Sequence, residues 1–317
     1  MLAYFAIATW FPDCLVVAPC LSIASPTPVE LAAILQLLRV FCRHALLLGE
    51  MSPLGLHELP WEGQMTLLIN QSGMSTKTQR FLNACTYRGV PVYRNGQLND
   101  LFGFVAVAGT THANFLENVI HIDIPPRCGG LPAVLDDKTQ RQLVAEFQPK
   151  LLMYRLENFR SVAASQFDVP HFSSPTREIA HALGMGIIDK KLREDLVGLL
   201  EEQDQSTRAE RSTDERAVVL EALLVLCHEH KESVYVGEVR DMANAILRER
   251  EERGDLTYKD VGKQLKALRL FTKRLNRFGR GINLWENIRK RIHRLAFEYT
   301  VLSIEQGQEC CPDAYIP

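Results

Sequence analysis

Apolar and polar positions give the two halves of this chain different rhythms. In the first half, short and nearly continuous apolar runs alternate with stretches of helical period. Residues 14–20 (CLVVAPC), Ala45–Leu48 (ALLL), Thr66–Asn70 (TLLIN), 90–93, 104–108 and 119–124 read as strands. The helix between the first two starts with Ser25 or Thr27 as N-cap, Pro28 at its first position and Glu30 in its first turn. A second helix spans about 76–87 and ends near Gly89. Apolar strands separated by helices predict a mostly parallel sheet covered on both faces. A loop from Pro125 and a helix over 139–161, kinked or split at Pro149, follow. Two more helices are expected over 174–202, the first capped by Ser174 or Thr176, with Gly184 and Gly186 between them.

The second half has a different order. Residues 201–216 (EEQDQSTRAERSTDER) are almost without apolar positions and read as a linker or exposed helix. Beyond them the pattern is a helix over 216–230, an extended piece at 234–236, and a helix from Gly237 to about 251. A turn at 252–255 leads to a third helix capped by Thr257, with Asp260 three residues on as a variant capping box. Strands at 270–275 and 282–285 flank a Gly-bounded tip at 276–281, and Glu286 opens a last helix. Helices followed by two strands and a tip read as a winged helix. The expected divisions are 1–135 for the α/β domain, 136–215 for a helical extension and linker, 216–302 for the winged helix and 303–317 for a flexible tail.

Charge sharpens that reading. Over residues 256–294, twelve Lys or Arg stand against two acids, Asp260 and Glu286, a net charge of +10. The whole chain carries −2, so the remainder carries −12. Such a segment predicts salt-sensitive binding to nucleic acid, through release of condensed counterions. The candidate contacts are Lys259, Lys263 and Lys266 on the third helix, Lys273 and Arg274 on the strand after it, and Arg277 and Arg280 at the tip. Lys263 and Lys266 suit a major groove, and Arg277 and Arg280 a minor groove or the backbone. Thr272 and Asn276 add neutral donors for phosphate. DNA is the expected partner. RNA, a protein partner, a homo-oligomer, or docking of the basic surface on the acidic half are the alternatives.

An α/β half before a winged helix raises an ATPase, whose test is the phosphate loop. No GxxxxGK[ST] occurs. The segment LSIASPTP at 21–28 lacks Gly and Lys, and its prolines remove amides that would bind phosphate. The segment NQSGMSTKT at 70–78 offers Gly73, Lys77 and Thr78, but Thr76 stands where Gly should precede the Lys. These three are the candidate cofactor-binding residues. ATP and magnesium are expected only if that unusual loop works, and otherwise no cofactor. The acid of a metal-holding strand is also missing, since TLLIN ends in Asn70 and ALLL reaches Glu50 only past Gly49.

The order of strand, degenerate loop, helix, strands, FVAVAGTTH and IHIDIPP, then QPKLLMYRL and LFTKRLNRFGRGINL, resembles helicase- or primase-associated P-loop ATPases of bacterial phages, plasmids and other mobile elements. The resemblance covers most of the chain by architecture. It implies a RecA/AAA-like domain that has lost hydrolysis, fused to a DNA-binding module, with a role in mobile-element replication or maintenance. It transfers no catalytic residue. FVAVAGTTH resembles a sensor strand that ends in polar residues near a γ-phosphate.

Other chemistry is thin. The eight cysteines include no CxxC pair, and Cys227-His228-Glu229-His230 does not share one helix face. The nine histidines are scattered, with no HExxH and no GxSxG. The apolar start lacks a basic n-region and is interrupted by Pro12 and Asp13, so neither a secretory signal nor a membrane span is expected. The abrupt apolar start is consistent with a missing upstream region. The reading is a cytoplasmic, non-enzymatic DNA-binding protein, with an active ATPase as the enzyme alternative.

Overall fold

The computed structural model describes residues 1–49, 55, 59, 64–71, 73–94, 96–113, 118–125, 135–212, 214–229, 231–250, 255–276, 279–299 and 301. The chain divides into two compact units, Met1–Gln203 and Asp204–Pro317. The expected turn at 252–255, apart from Asp255, and the tail at 303–317 lie outside the described residues, as do Cys128, Cys310 and Cys311.

The first unit opens on α1 (Leu2–Ala8) and a 3-10 turn at Pro12–Cys14. Strand β1 is Cys20–Ala24, one strand length later than the expected 14–20. Pro19 explains the shift, because proline has no N–H for a central ladder. Val16, ahead of it, is exposed, and Val17 makes only an isolated bridge to Tyr87. Then come α2 (Pro28–Phe41), β2 (Ala45–Leu48), β3 (Thr66–Asn70) and α3 (Thr76–Cys85). The run at 90–93 does not join the main sheet. Strand β4 (Val92–Arg94) pairs with β5 (Gln97–Asn99) in a separate hairpin whose turn places Gly96 at φ +79°. Both are short and expose Tyr93 and Leu98, so they lack the apolar faces of a buried central strand.

Strands β6 (Phe104–Gly109) and β7 (Val119–Asp123) complete a five-stranded sheet of order β2-β3-β6-β1-β7, parallel throughout. Every residue of β1 and β6 is buried, as helices on both faces require. One core joins Leu21, Ile23, Leu35, Phe104 and Ala106 to Val162, Ile179, Leu183, Leu196 and Leu200 of the later helices. A second core covers the other sheet face with Leu67, Ile69, Val105, Phe81 and Leu82. The later helices are α4 (Asp137–Ala163), α5 (Ser174–Met185) and α6 (Lys190–Ser212). Helix α4 runs unbroken through Pro149. Helix α5 is capped by Ser173 rather than Ser174 or Thr176, with the Ser173 and Thr176 hydroxyls 3.2 Å apart. The polar stretch after 201 is helical, forming the end of α6.

The second unit contains α7 (Glu215–His228), β8 (Ser233–Tyr235), α8 (Val236–Glu249), α9 (Tyr258–Ala267), β9 (Lys273–Asn276), β10 (Gly279–Asn283) and α10 (Glu286–Glu298). Its antiparallel sheet has the order β8-β10-β9. Val219, Leu223, Val239, Ala243, Val261, Leu265, Ile282 and Ile292 meet in one core. Both hairpin strands lie later or earlier than their sequence pattern suggested. Strand β9 starts at Lys273 rather than 270, because Leu270 turns into the core. Strand β10 starts at Gly279 rather than 282, in register with β9 through Gly281 opposite Lys273. Gly281 sits so close to the Val234 carbonyl that a Cβ there would fall 2.3 Å from its oxygen, which fixes a glycine in the middle strand.

Candidate nucleic-acid interface

Helix α9 is set by its own start. The Thr257 hydroxyl accepts from the Asp260 N–H at 3.3 Å, and Asp260 accepts from the Thr257 N–H at 3.0 Å and hydroxyl at 2.6 Å. These hydrogen bonds from Thr257, aided by Lys263 and Lys259, hold the Asp260 carboxyl below its usual range. One residue earlier the buried Asn244 side chain accepts from Leu256 N–H at 2.7 Å and donates to the Leu256 carbonyl at 3.1 Å. The entry into α9 is thus clamped from α8, and Val261, Leu265 and Leu268 pin its inner face.

The opposite face is basic. Lys259, Lys263 and Lys266 are all exposed, and their i, i+4, i+7 spacing aligns them along about 10 Å of helix. Among the described residues none of the three makes an ion pair, whereas Lys231, Arg250, Lys290 and Arg294 are each joined to a glutamate. The cations of this unit are therefore of two kinds. Some fasten the fold, and those on the outer face of α9 are left to solvent.

The β9–β10 hairpin supplies the neighbouring wall. Lys273, Arg274 and Arg280 are exposed, and Arg280 stands opposite Arg274 across the strands. Arg280 lies within β10 rather than at a free tip. Its guanidinium is steadied on Thr272, donating to the hydroxyl at 3.3 Å and to the carbonyl at 2.7 Å. Thr272 thus positions an arginine. Arg277 and the Asn276 side chain lie outside what the structure describes.

Between helix and hairpin is an open cleft of about 820 Å³. Tyr235, Gly237, Tyr258, Gly262, Thr272 and Arg280 line it. Tyr258 stands under the Arg240 guanidinium, 3.9 Å from ring centroid to Cζ. The aromatic members were not among the sequence candidates. Tyr258 was visible beside Lys259, but periodicity alone does not separate an exposed aromatic from a core one.

The C-terminal edge of the parallel sheet is the other place where ligands bind in folds of this class. Here the β1–α2 turn is filled from within. The Glu30 carboxylate accepts from the Ser25 hydroxyl at 3.0 Å and from the Thr27 hydroxyl, so an internal anion holds the start of α2. At the second loop Gly73 has φ +80° and Lys77 is exposed, while Thr78 is buried with its hydroxyl 2.9 Å from that of Ser75, the α3 cap. The ends of β6 and β7 are bridged by His112, whose Nδ1 is 3.2 Å from Ser22 Oγ and whose Nε2 is 3.0 Å from Asp123 Oδ1. This has the order of a hydrolytic serine–histidine–aspartate chain. However, Ser22 is 1% exposed in the middle of β1, and its Oγ accepts from the Ala113 N–H at 2.7 Å, so no substrate reaches it. The histidine ties strands together, with the His121 ring packed edge-on against it.

Among the described residues no cluster of His, Cys, Asp or Glu could hold a metal ion, and no helix is long and apolar enough to cross a membrane. Cys20, Cys42, Cys85 and Cys227 are buried, and burial pushes the Cys42 thiol up to about 12. No family model and no curated protein matches the chain.

Proposed function

We propose that this protein binds DNA through residues 216–302, a winged helix in which α9 enters the major groove and the β9–β10 hairpin is the wing. The element order α7-β8-α8-α9-β9-β10, with a sheet running β8-β10-β9, supports that assignment. The observation that carries it is the exposed lysine row Lys259, Lys263 and Lys266 on α9, which makes no ion pair among the described residues, in the same unit as the exposed Arg280 that lines the cleft between α9 and the hairpin.

The first unit is read as a RecA/AAA-like domain without hydrolysis. Its main sheet runs β2-β3-β6-β1-β7, parallel throughout, with β1 between β6 and β7. Glu30 occupies the helix start where a nucleotide phosphate would sit, and β3 ends in Asn70 rather than an acid. A role in replication or maintenance of a mobile element rests on the sequence resemblance alone.

The test is fluorescence anisotropy of a labelled duplex over a salt series. A steep linear fall of log affinity with log salt is expected, and replacing Lys263, Lys266 and Arg280 by Ala together should flatten the slope by about 3. Binding that ignores salt, or that survives the triple change intact, sinks the proposal.

A further inference from the structure

We propose that Phe271, Lys273 and Trp285 form a stacking platform for unpaired bases, so that the protein grips the junction where a single strand leaves a duplex. This rests on the DNA-binding reading and adds a ligand form to it.

Phe271 is 72% exposed and Trp285 60% exposed, each directly after a buried leucine, Leu270 and Leu284. Aromatic rings of this size normally supply core or interface area. Trp285 is held out on hydrogen-bonded backbone. Trp285 is the N-cap of α10, and its carbonyl accepts from the Ile288 and Arg289 N–H groups, both at 2.9 Å. The Lys273 ammonium lies 4.6 Å from the Trp285 ring centroid. A cation over a ring orients it, and here it also places a positive charge beside an exposed π face. Phe271 is two residues ahead of Lys273, within about 7 Å along the chain.

Aromatic faces beside cations are the means by which proteins hold single strands, since every base has a π face and every linker a phosphate. The surrounding segment, at +10, matches a polyanion better than it matches an apolar protein surface. The geometry also separates two tasks. Successive strand residues point to opposite faces, so Lys273 and Arg274 leave β9 on opposite sides. Arg274 goes with Arg280 and Thr272 of the cleft, and Lys273 with Trp285.

The experiment compares anisotropy of the full chain on a blunt duplex and on the same duplex with a poly-dT tail. The tail should raise affinity about tenfold. Replacing Phe271 and Trp285 by Ala together should remove that gain and leave blunt-duplex affinity in place. Trp285→Phe keeps an aromatic face and should keep the gain. Tailed DNA should quench tryptophan emission in the wild type and not in Trp285→Phe. If the blunt duplex binds but the tail adds nothing, or the double variant retains the gain, the platform is refuted while the DNA-binding reading stands. If no DNA binds, both fall. A change in sedimentation mass on Trp285→Ala, with tailed-DNA affinity unmoved, would assign the surface to a second copy and overturn the proposal.

Discussion

His228 of α7 and His293 of α10 face each other across the second unit, Nε2 to Nε2, at 3.2 Å. His293 is buried, and its Nδ1 is 2.8 Å from the Arg289 carbonyl. A carbonyl only accepts, so Nδ1 of His293 carries a proton, and in the neutral ring its Nε2 accepts from His228. The pair is a polar rivet in an otherwise apolar helix packing. His293→Ala removes a buried ring and the group His228 meets. It should destabilise the protein by about 2–4 kcal/mol, read as a lowered urea midpoint. An unchanged midpoint would contradict the pairing.

Asn244 is the second buried polar group with a positional task. Both atoms of its amide are spent on Leu256, just before the cap of α9. Asn244→Ala should cost about 2–3 kcal/mol and loosen the entry of the basic helix, weakening duplex binding. Asn244→Asp keeps the acceptor for the Leu256 N–H and loses the donor to its carbonyl, so it should fall between the two in both measurements.

Acid should unfasten the second unit. Hydrogen bonding to Arg216 holds the Asp214 carboxyl low, and hydrogen bonding to Thr257 does the same for Asp260. Burial pushes Glu238 up, but the Tyr235 N–H and Lys231 outweigh it and leave that carboxyl below its usual range. Carboxyls depressed in the folded state stabilise it above the unfolded range of about 4, and that stability is lost as pH falls through the lower folded values. The melting temperature should therefore drop from about pH 4 downward, and Asp260→Asn should show a shallower drop.

Calorimetric titration with Mg-ATP should give only heats of dilution. The carboxylate of Glu30 is bound at the start of α2, and the Thr78 hydroxyl is buried against Ser75. Saturable heat that disappears in Lys77→Ala would establish the nucleotide loop instead.

The sequence displayed some of this plainly. Strands β2 and β3 carry the expected limits because each is an uninterrupted apolar run with clear punctuation. The α9 cap was legible because Thr257 and Asp260 are three residues apart, a local relationship. Strand β1 was misplaced because Val16 and Val17 have strand chemistry but no ladder to join, and Pro19 decides where pairing starts. The lysine row was visible as charge. That it makes no ion pair among the described residues was not, since pairing depends on which acids the fold brings near. The His112 bridge and the exposed aromatics were beyond reach for the same reason, since contacts between distant segments leave no spacing to read.

Arg289 gives the basic segment a different meaning at one position. Its guanidinium donates to the Leu284 carbonyl at 2.9 Å, to Cys227 at 2.5 Å and to Lys231. One planar group thus ties the last turn of α7, the approach to β8 and the exit from β10. A guanidinium keeps its charge at every ordinary pH and has donors enough for all three. An engineer who neutralises this region to silence ligand binding must stop short of Arg289. Past that point the change dismantles the scaffold, and loss of binding no longer says anything about the surface.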